Sequence, residues 1–161
     1  MIFVTLGTQD KPFERMLKSI EKCIIKNDIK DEIIVQSGST KYESPVMTIR
    51  DYIDRDEFRE CIEKADIIIT HGGVGNILQG LKNNKKVIGC ARLEEYGEHV
   101  NNHQVQLLER FDEAGYIIYA KDLENFDEYY KKLKDFKPKK YKFNQDNFNN
   151  ELDKYISKFM K

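Results

Sequence analysis

"ITHGGVGNILQGL", residues 69–81, sets His71, Gly72, Gly73 and Gly75 at the point where an apolar run gives way to a helical one. The preceding "ADIII" (65–69) is short, apolar and rich in β-branched residues, the pattern of a buried strand. In the following "ILQGLKNNKK" (77–86), Ile77, Leu78 and Leu81 recur at helical spacing before a polar end. A strand, a glycine turn and a helix in that order present unpaired backbone N–H groups to an anion. The competing reading is a tight turn that needs positive φ, which accounts for one or two glycines. Neither the dinucleotide GxGxxG spacing nor the Walker A pattern is present: Gly73 and Gly75 are followed by Leu78, not glycine.

Outward from this junction, strands and helices alternate. "IFVTL" (2–6), "EIIVQSG" (32–38), "VMTIRDYI" (46–53), "KVIGCA" (86–91) and "YIIYA" (116–120) read as further strands. Helices are expected over 12–26, with Phe13, Met16, Leu17, Ile20 and Ile24 on one face, over 54–64, over 98–113 and over 123–133. Gly115 marks the stop of the third of these. The pattern predicts an α/β, Rossmann-like parallel sheet with helices on both faces, as one domain over 1–136. The lysine-rich "DFKPKKYKFNQDN" (135–147) then leads to a final helix over 147–160, so 137–161 is expected to be a loop and helix able to dock a partner. Its stripe Phe148, Leu152, Tyr155, Ile156 and Phe159 fits either that role or packing on the domain's own sheet.

Composition narrows the class. The 161 residues carry a net charge of −1 and are 34% charged, so nothing electrostatic favours nucleic acid as a partner. Cys23, Cys61 and Cys90 lie far apart in apolar contexts and read as buried free thiols of a reducing compartment. "MIFVTLGTQD" has no basic leader and reads as a first strand, and no apolar run approaches the ~18 residues of a membrane span. A cytoplasmic chain is the expectation.

Two more motifs accompany the glycine junction. In "TLGTQD" (5–10), Gly7 lets the backbone approach a ligand and Thr8 offers a hydroxyl, at the same sheet edge as the first motif. Two such turns on one edge suit an elongated anionic ligand. In "YGEHVNNHQ" (96–104), Glu98, His99, His103 and Gln104 bunch at a strand end with Asn101 and Asn102. His99 and His103 at i, i+4 on a helix raise a metal site, but a third ligand would have to come from His71 or Glu98 and the HExxH pattern is absent. Hydrogen bonding to a polyhydroxylated ligand and simple helix capping are the other readings. "DRD" (54–56) precedes a short helix, where aspartate caps routinely. No metal and no other cofactor is expected.

"VTLGTQ", "ITHGGVGNILQGL" and "YGEHVNNHQ", in this order over roughly residues 1–119, resemble the sugar-nucleotide-binding half of GT-B glycosyltransferases, the family 28 C-terminal domain. The nearest likeness is the Alg13-like group with its bacterial capsule and exopolysaccharide relatives. The resemblance implies that Gly72, Gly73, Gly75 and Asn76 hold the donor diphosphate without a metal and that Thr8 contacts phosphate. It places uracil at the backbone around Ile53, the ribose at Gln79 (a glutamate in the family), Arg92 by the phosphates, and His103 and Gln104 near the sugar hydroxyls. It implies an inverting transfer from a UDP-sugar to a lipid-linked acceptor held by a membrane-attached, Alg14-like subunit, through which this chain would sit at the inner face of the membrane. His71 is the local candidate for a general base, with the partner chain as the other source. A non-catalytic nucleotide-binding or stabilising subunit is the alternative; a sugar-nucleotide epimerase of the same two-domain plan would need more chain than this.

Overall fold

A computed structural model of the chain describes residues 1–142. The helix expected over 147–160 lies outside the described residues. Six strands are present: β1 (Ile2–Thr5), β2 (Ile33–Gln36), β3 (Thr48–Arg50), β4 (Ile67–His71), β5 (Lys86–Cys90) and β6 (Ile118–Tyr119). All pair in parallel, in the order β3-β2-β1-β4-β5-β6. The helices are α1 (Glu14–Lys26), α2 (Arg55–Lys64), α3 (Val74–Lys82), α4 (His103–Glu113) and α5 (Phe126–Lys132). The Rossmann-like α/β expectation is met.

Alternation along the strands divides the core into two layers. Ile2, Val4, Ile69 and Ile88 pack with Met16, Leu17 and Ile20 of α1 and Phe126 of α5. Phe3, Ile68 and Val87 pack with Ile62, Ile77, Leu81, Leu108 and Phe111 from α2, α3 and α4. The three cysteines are free and buried in these layers. Chain order reverses between β1 and β4, whose ends are in register, Thr5 opposite Thr70. The turns that follow both strands therefore open side by side, at the switch point where doubly wound sheets bind ligands.

The helix expected from Glu98 begins instead at His103. Gly97 adopts φ +69°, and the side chains after it bond locally to the backbone in place of a helical turn. Glu98 accepts the Leu93 N–H at 3.0 Å, His99 Nδ1 accepts from Asn101 N at 3.2 Å, and Asn101 Oδ1 accepts from His103 N at 3.0 Å. His99 and His103 consequently share no helix face. Asp54 of "DRD" is the N-cap of α2, its carboxylate accepting the Glu57 N–H at 2.9 Å. β3 is shorter than its apolar pattern suggested, and Gly115 ends α4 as expected, at φ +83°.

Candidate functional site

The two glycine turns meet over one side chain. Gly7 has φ +75°, a conformation L side chains rarely adopt, and a Cβ there would fall 2.4 Å from His71 Nε2. From the other side, a Cβ on Gly73 would fall 2.6 Å from His71 Cε1. The imidazole thus fills the space left by two missing side chains. Gly72 is small for another reason: a Cβ there would meet the Gln104 side chain at 2.6 Å. Gly75, in the first turn of α3, has nothing within 4 Å of where its Cβ would be. No internal packing explains that glycine.

Behind the turns lies a buried polar frame. Gln104 Oε1 accepts from Gly72 N at 3.1 Å and from Arg92 N at 2.9 Å, and its Nε2 stands 3.3 Å from His71 Nδ1. The Arg92 guanidinium is 1% exposed and donates to the carbonyls of Leu6 (2.6 Å), Lys11 (2.7 Å) and Glu98 (3.2 Å), beneath the Phe13 ring. The Glu98 carboxylate is paired with Arg15 at 2.9 Å. Arg92 and Glu98 therefore tie the first turn and the segment after β5 to each other, and their side chains are committed within the protein.

Burial sets the charge states. His71, 5% exposed, has its pKa lowered to about 3, first by desolvation, then by the Arg92 charge and by His99. It is neutral at physiological pH. Arg92 is pushed down to about 10 by burial, with Glu98 and Asp10 opposing, and stays charged. His99 is also lowered, by burial and then by Arg92, His103 and Lys11.

Above this frame lies a cleft of about 970 Å³. Of the residues singled out in the sequence, Gly7, Thr8, Ile53, His71, Gly73, Gly75, Asn76 and Gln79 line it. Gly72, Arg92, Glu98, His99, His103 and Gln104 do not: Gly72, Arg92, Glu98 and Gln104 are buried below, and His99 and His103 sit on the neighbouring segment. The start of α3 faces the cleft with no side-chain cap and no acidic residue in its first turn. Its leading N–H groups lack intrahelical acceptors, the condition for binding an anion there. Residues missed in the sequence are Gln36, whose Oε1 holds the Ile53 N–H at 3.0 Å, and the basic Arg55, Arg59 and Lys82, which line the cleft together with Glu63. A glutamine ending an apolar strand, and arginines at i, i+4 on α2, were the available signals. Among the described residues, no group of three or more His, Cys, Asp or Glu is placed to hold a metal ion. No described helix is long and apolar enough to cross a membrane.

The family model of the Glycosyltransferase family 28 C-terminal domain matches residues 1–159. The Homo sapiens UDP-N-acetylglucosamine transferase subunit ALG13 is 26% identical over 128 residues, covering 74% of this chain and 11% of that protein. The Saccharomyces cerevisiae subunit of the same name is 35% identical over 79 residues, 49% of this chain and 30% of that protein. The match thus spans less than a third of either relative's length. The NMR solution structure of ALG13 superposes with a TM-score of 0.63 at 19% identity, covering 97% of this chain and 96% of that one. The calicheamicin glycosyltransferase CalG4 superposes with a TM-score of 0.61 at 13% identity, over 98% of this chain and 38% of that one. At such identities the structures establish the fold.

Proposed function

Because the chain belongs to the glycosyltransferase family 28 C-terminal domain family, we propose that it is the donor-binding component of a two-component inverting glycosyltransferase using a UDP-sugar. The observation that carries the reading is Gly75. A glycine in the first turn of a helix costs about 1 kcal/mol of helix propensity relative to alanine. Here no protein atom needs the space, and the position opens into the cleft between both glycine turns. A diphosphate seated there would meet the start of α3 and the backbone near Gly7, with Thr8 alongside. The uracil would lie by Ile53 and the ribose by Gln79. The donor named in the relatives' descriptions, UDP-N-acetylglucosamine, is the first to test.

In the transfer, the acceptor hydroxyl attacks the anomeric carbon and the bond from that carbon to the β-phosphate oxygen breaks. Configuration inverts, UDP leaves, and the hydroxyl proton goes to a base. The glycine turns would supply the electrostatic stabilisation of the leaving diphosphate. His71, with its pKa near 3, is a poor acceptor for that proton. The base is therefore assigned to a membrane-attached, acceptor-binding subunit, consistent with the word "subunit" in the relatives' names. On this reading the acceptor is lipid-linked, and the product serves polysaccharide or glycolipid synthesis. Residues 1–136 form the nucleotide domain and 137–161 the segment offered to the partner.

Calorimetric titration with UDP, TDP and ADP, with and without Mg²⁺, tests the reading. UDP should bind preferentially and without the metal. Equal affinity for all three, or an absolute need for Mg²⁺, overturns it. The glutamine at position 79 favours a second reading, a subunit that stabilises its partner without holding the donor. Gly75→Asp separates the two, because activity of the reconstituted complex would survive it only in the second.

A further inference from the structure

Gln104 has a side chain whose hydrogen bonds leave one assignment. Its Oε1 lies within 3.1 Å of two backbone donors, the N–H groups of Gly72 and Arg92. Reversing the amide would set its NH₂ against both donors, so oxygen and nitrogen are determined by their partners. The remaining contact is Nε2 to His71 Nδ1 at 3.3 Å. An amide nitrogen can only donate, so Nδ1 must accept. In a neutral imidazole the proton then belongs to Nε2, the ring atom nearest to where a Cβ on Gly7 would lie, in a side chain that lines the cleft.

We propose that Gln104 is a positioning residue that holds His71 in its Nε2–H tautomer, so that the imidazole meets the donor diphosphate as a hydrogen-bond donor and not as a base. The proposal rests on the nucleotide reading of the cleft. Three features lead to the same geometry: the two backbone donors that orient the amide, the single amide donor to Nδ1, and the place of His71 in the lining of the cleft. Arg92 contributes from below. Its backbone N–H orients the amide, and its guanidinium charge disfavours an imidazolium. The same frame explains why Gly72 carries no side chain, since a Cβ there would displace Gln104.

The test uses the full chain labelled with ¹⁵N, whose histidines number three. Their ring resonances are assigned by substituting His99 and His103 in turn. In the wild type, His71 should show a protonated Nε2 and an unprotonated Nδ1 from pH 6 to 8, and saturating UDP should shift Nε2 while keeping that tautomer. In Gln104→Glu the carboxylate can still accept from both backbone donors, but it also accepts from the ring. The His71 proton should move to Nδ1, and UDP affinity should fall about tenfold or more as a bare Nε2 faces phosphate. A wild-type chain that binds UDP with His71 protonated on Nδ1 overturns the proposal and leaves the nucleotide reading intact. So does an Nε2 resonance unmoved by UDP, or a tautomer switch in Gln104→Glu without loss of affinity. Should Gln104→Glu not fold, the two wild-type measurements decide alone. Absence of UDP binding by the wild type overturns the nucleotide reading, and the role proposed for His71 falls with it.

Discussion

A Cβ on Gly7 would sit 2.4 Å from Nε2 of His71, so the first strand's turn and the fourth strand's last residue are fitted to each other. Gly75 stands in contrast, with nothing within 4 Å of its missing side chain. The two glycines should therefore fail differently. Gly7→Ala adds left-handed strain and pushes on a buried ring, and should destabilise the fold by about 2 kcal/mol or more. Gly75→Ala should leave stability unchanged or raise it by up to about 1 kcal/mol, through helix propensity. It should nonetheless weaken UDP binding, and Gly75→Asp should abolish it. Urea unfolding and calorimetry on the same samples check both halves. Full UDP affinity in Gly75→Asp would mean the diphosphate lies elsewhere.

Arg92 carries the second prediction. Its guanidinium serves three carbonyls, those of Leu6, Lys11 and Glu98, while the Glu98 carboxylate keeps Arg15. Arg92→Met removes all three donors in a buried place and should cost about 3 kcal/mol of stability. Arg92→Lys should recover little, because one ammonium cannot reproduce the planar fork. Denaturant midpoints of the three proteins decide it, and a lysine variant as stable as the wild type would count against the framework role.

Much of this is legible in the sequence. The glycine junction, the alternation of strands and helices, and unbroken apolar runs such as Ile2, Phe3 and Val4 were enough for a parallel sheet with helices on both faces. The two turns were readable because glycine and threonine at strand ends have few structural uses. The segment from Gly97 to Asn102 was not. The helix expected over 98–113 takes in Glu98 to Asn102, but Glu98, Asn101 and Asn102 instead accept from the nearby backbone N–H groups of Leu93, His103 and Glu94. Arg92, Glu98 and Gln104 looked like ligand contacts for the same reason: sequence shows that a polar side chain stands at a strand end, not whether it turns outward or inward. Their burial at 1%, 4% and 6% exposure depends on carbonyls and amides contributed by distant turns.

Gln79 offers a test of the outer site. It lines the cleft on α3, five residues beyond the start of the helix at Val74. If it holds the ribose diol, Gln79→Ala should weaken UDP binding by about 1 kcal/mol or more. Gln79→Glu should match or improve on the wild type, since a carboxylate accepts from hydroxyls more strongly than an amide. Comparing UDP with 2′-deoxy-UDP on each variant isolates the diol: the gap between the two ligands should shrink in the alanine variant. Three proteins with equal UDP affinity would move the ribose away from this residue.

The last prediction follows from the buried imidazole and concerns acid. His71 ordinarily titrates near 6.5, but in the fold it resists protonation to about 3, chiefly through burial and then through the charge of Arg92. Between those values the unfolded chain binds a proton that the folded chain does not. Acidification through this window therefore pulls toward unfolding, and the stability lost should approach about 1.4 kcal/mol per pH unit from this one group. Asp127 works in a lower window that overlaps this one only at its acid end. Its hydrogen bonds with Asn27 and Lys26 hold its carboxyl at about 2 against an ordinary 3.8, so its contribution is lost only on further acidification. Urea midpoints measured between pH 7 and 4.5 should fall steeply for the wild type. In His71→Gln, which has nothing to titrate at that position, the decline should be shallower by about 1 kcal/mol per pH unit, whatever the variant's stability at neutral pH. Parallel slopes for the two proteins would show that His71 protonates in the fold as readily as in the unfolded chain, and the neutral ring assigned to the cleft floor would have to be abandoned.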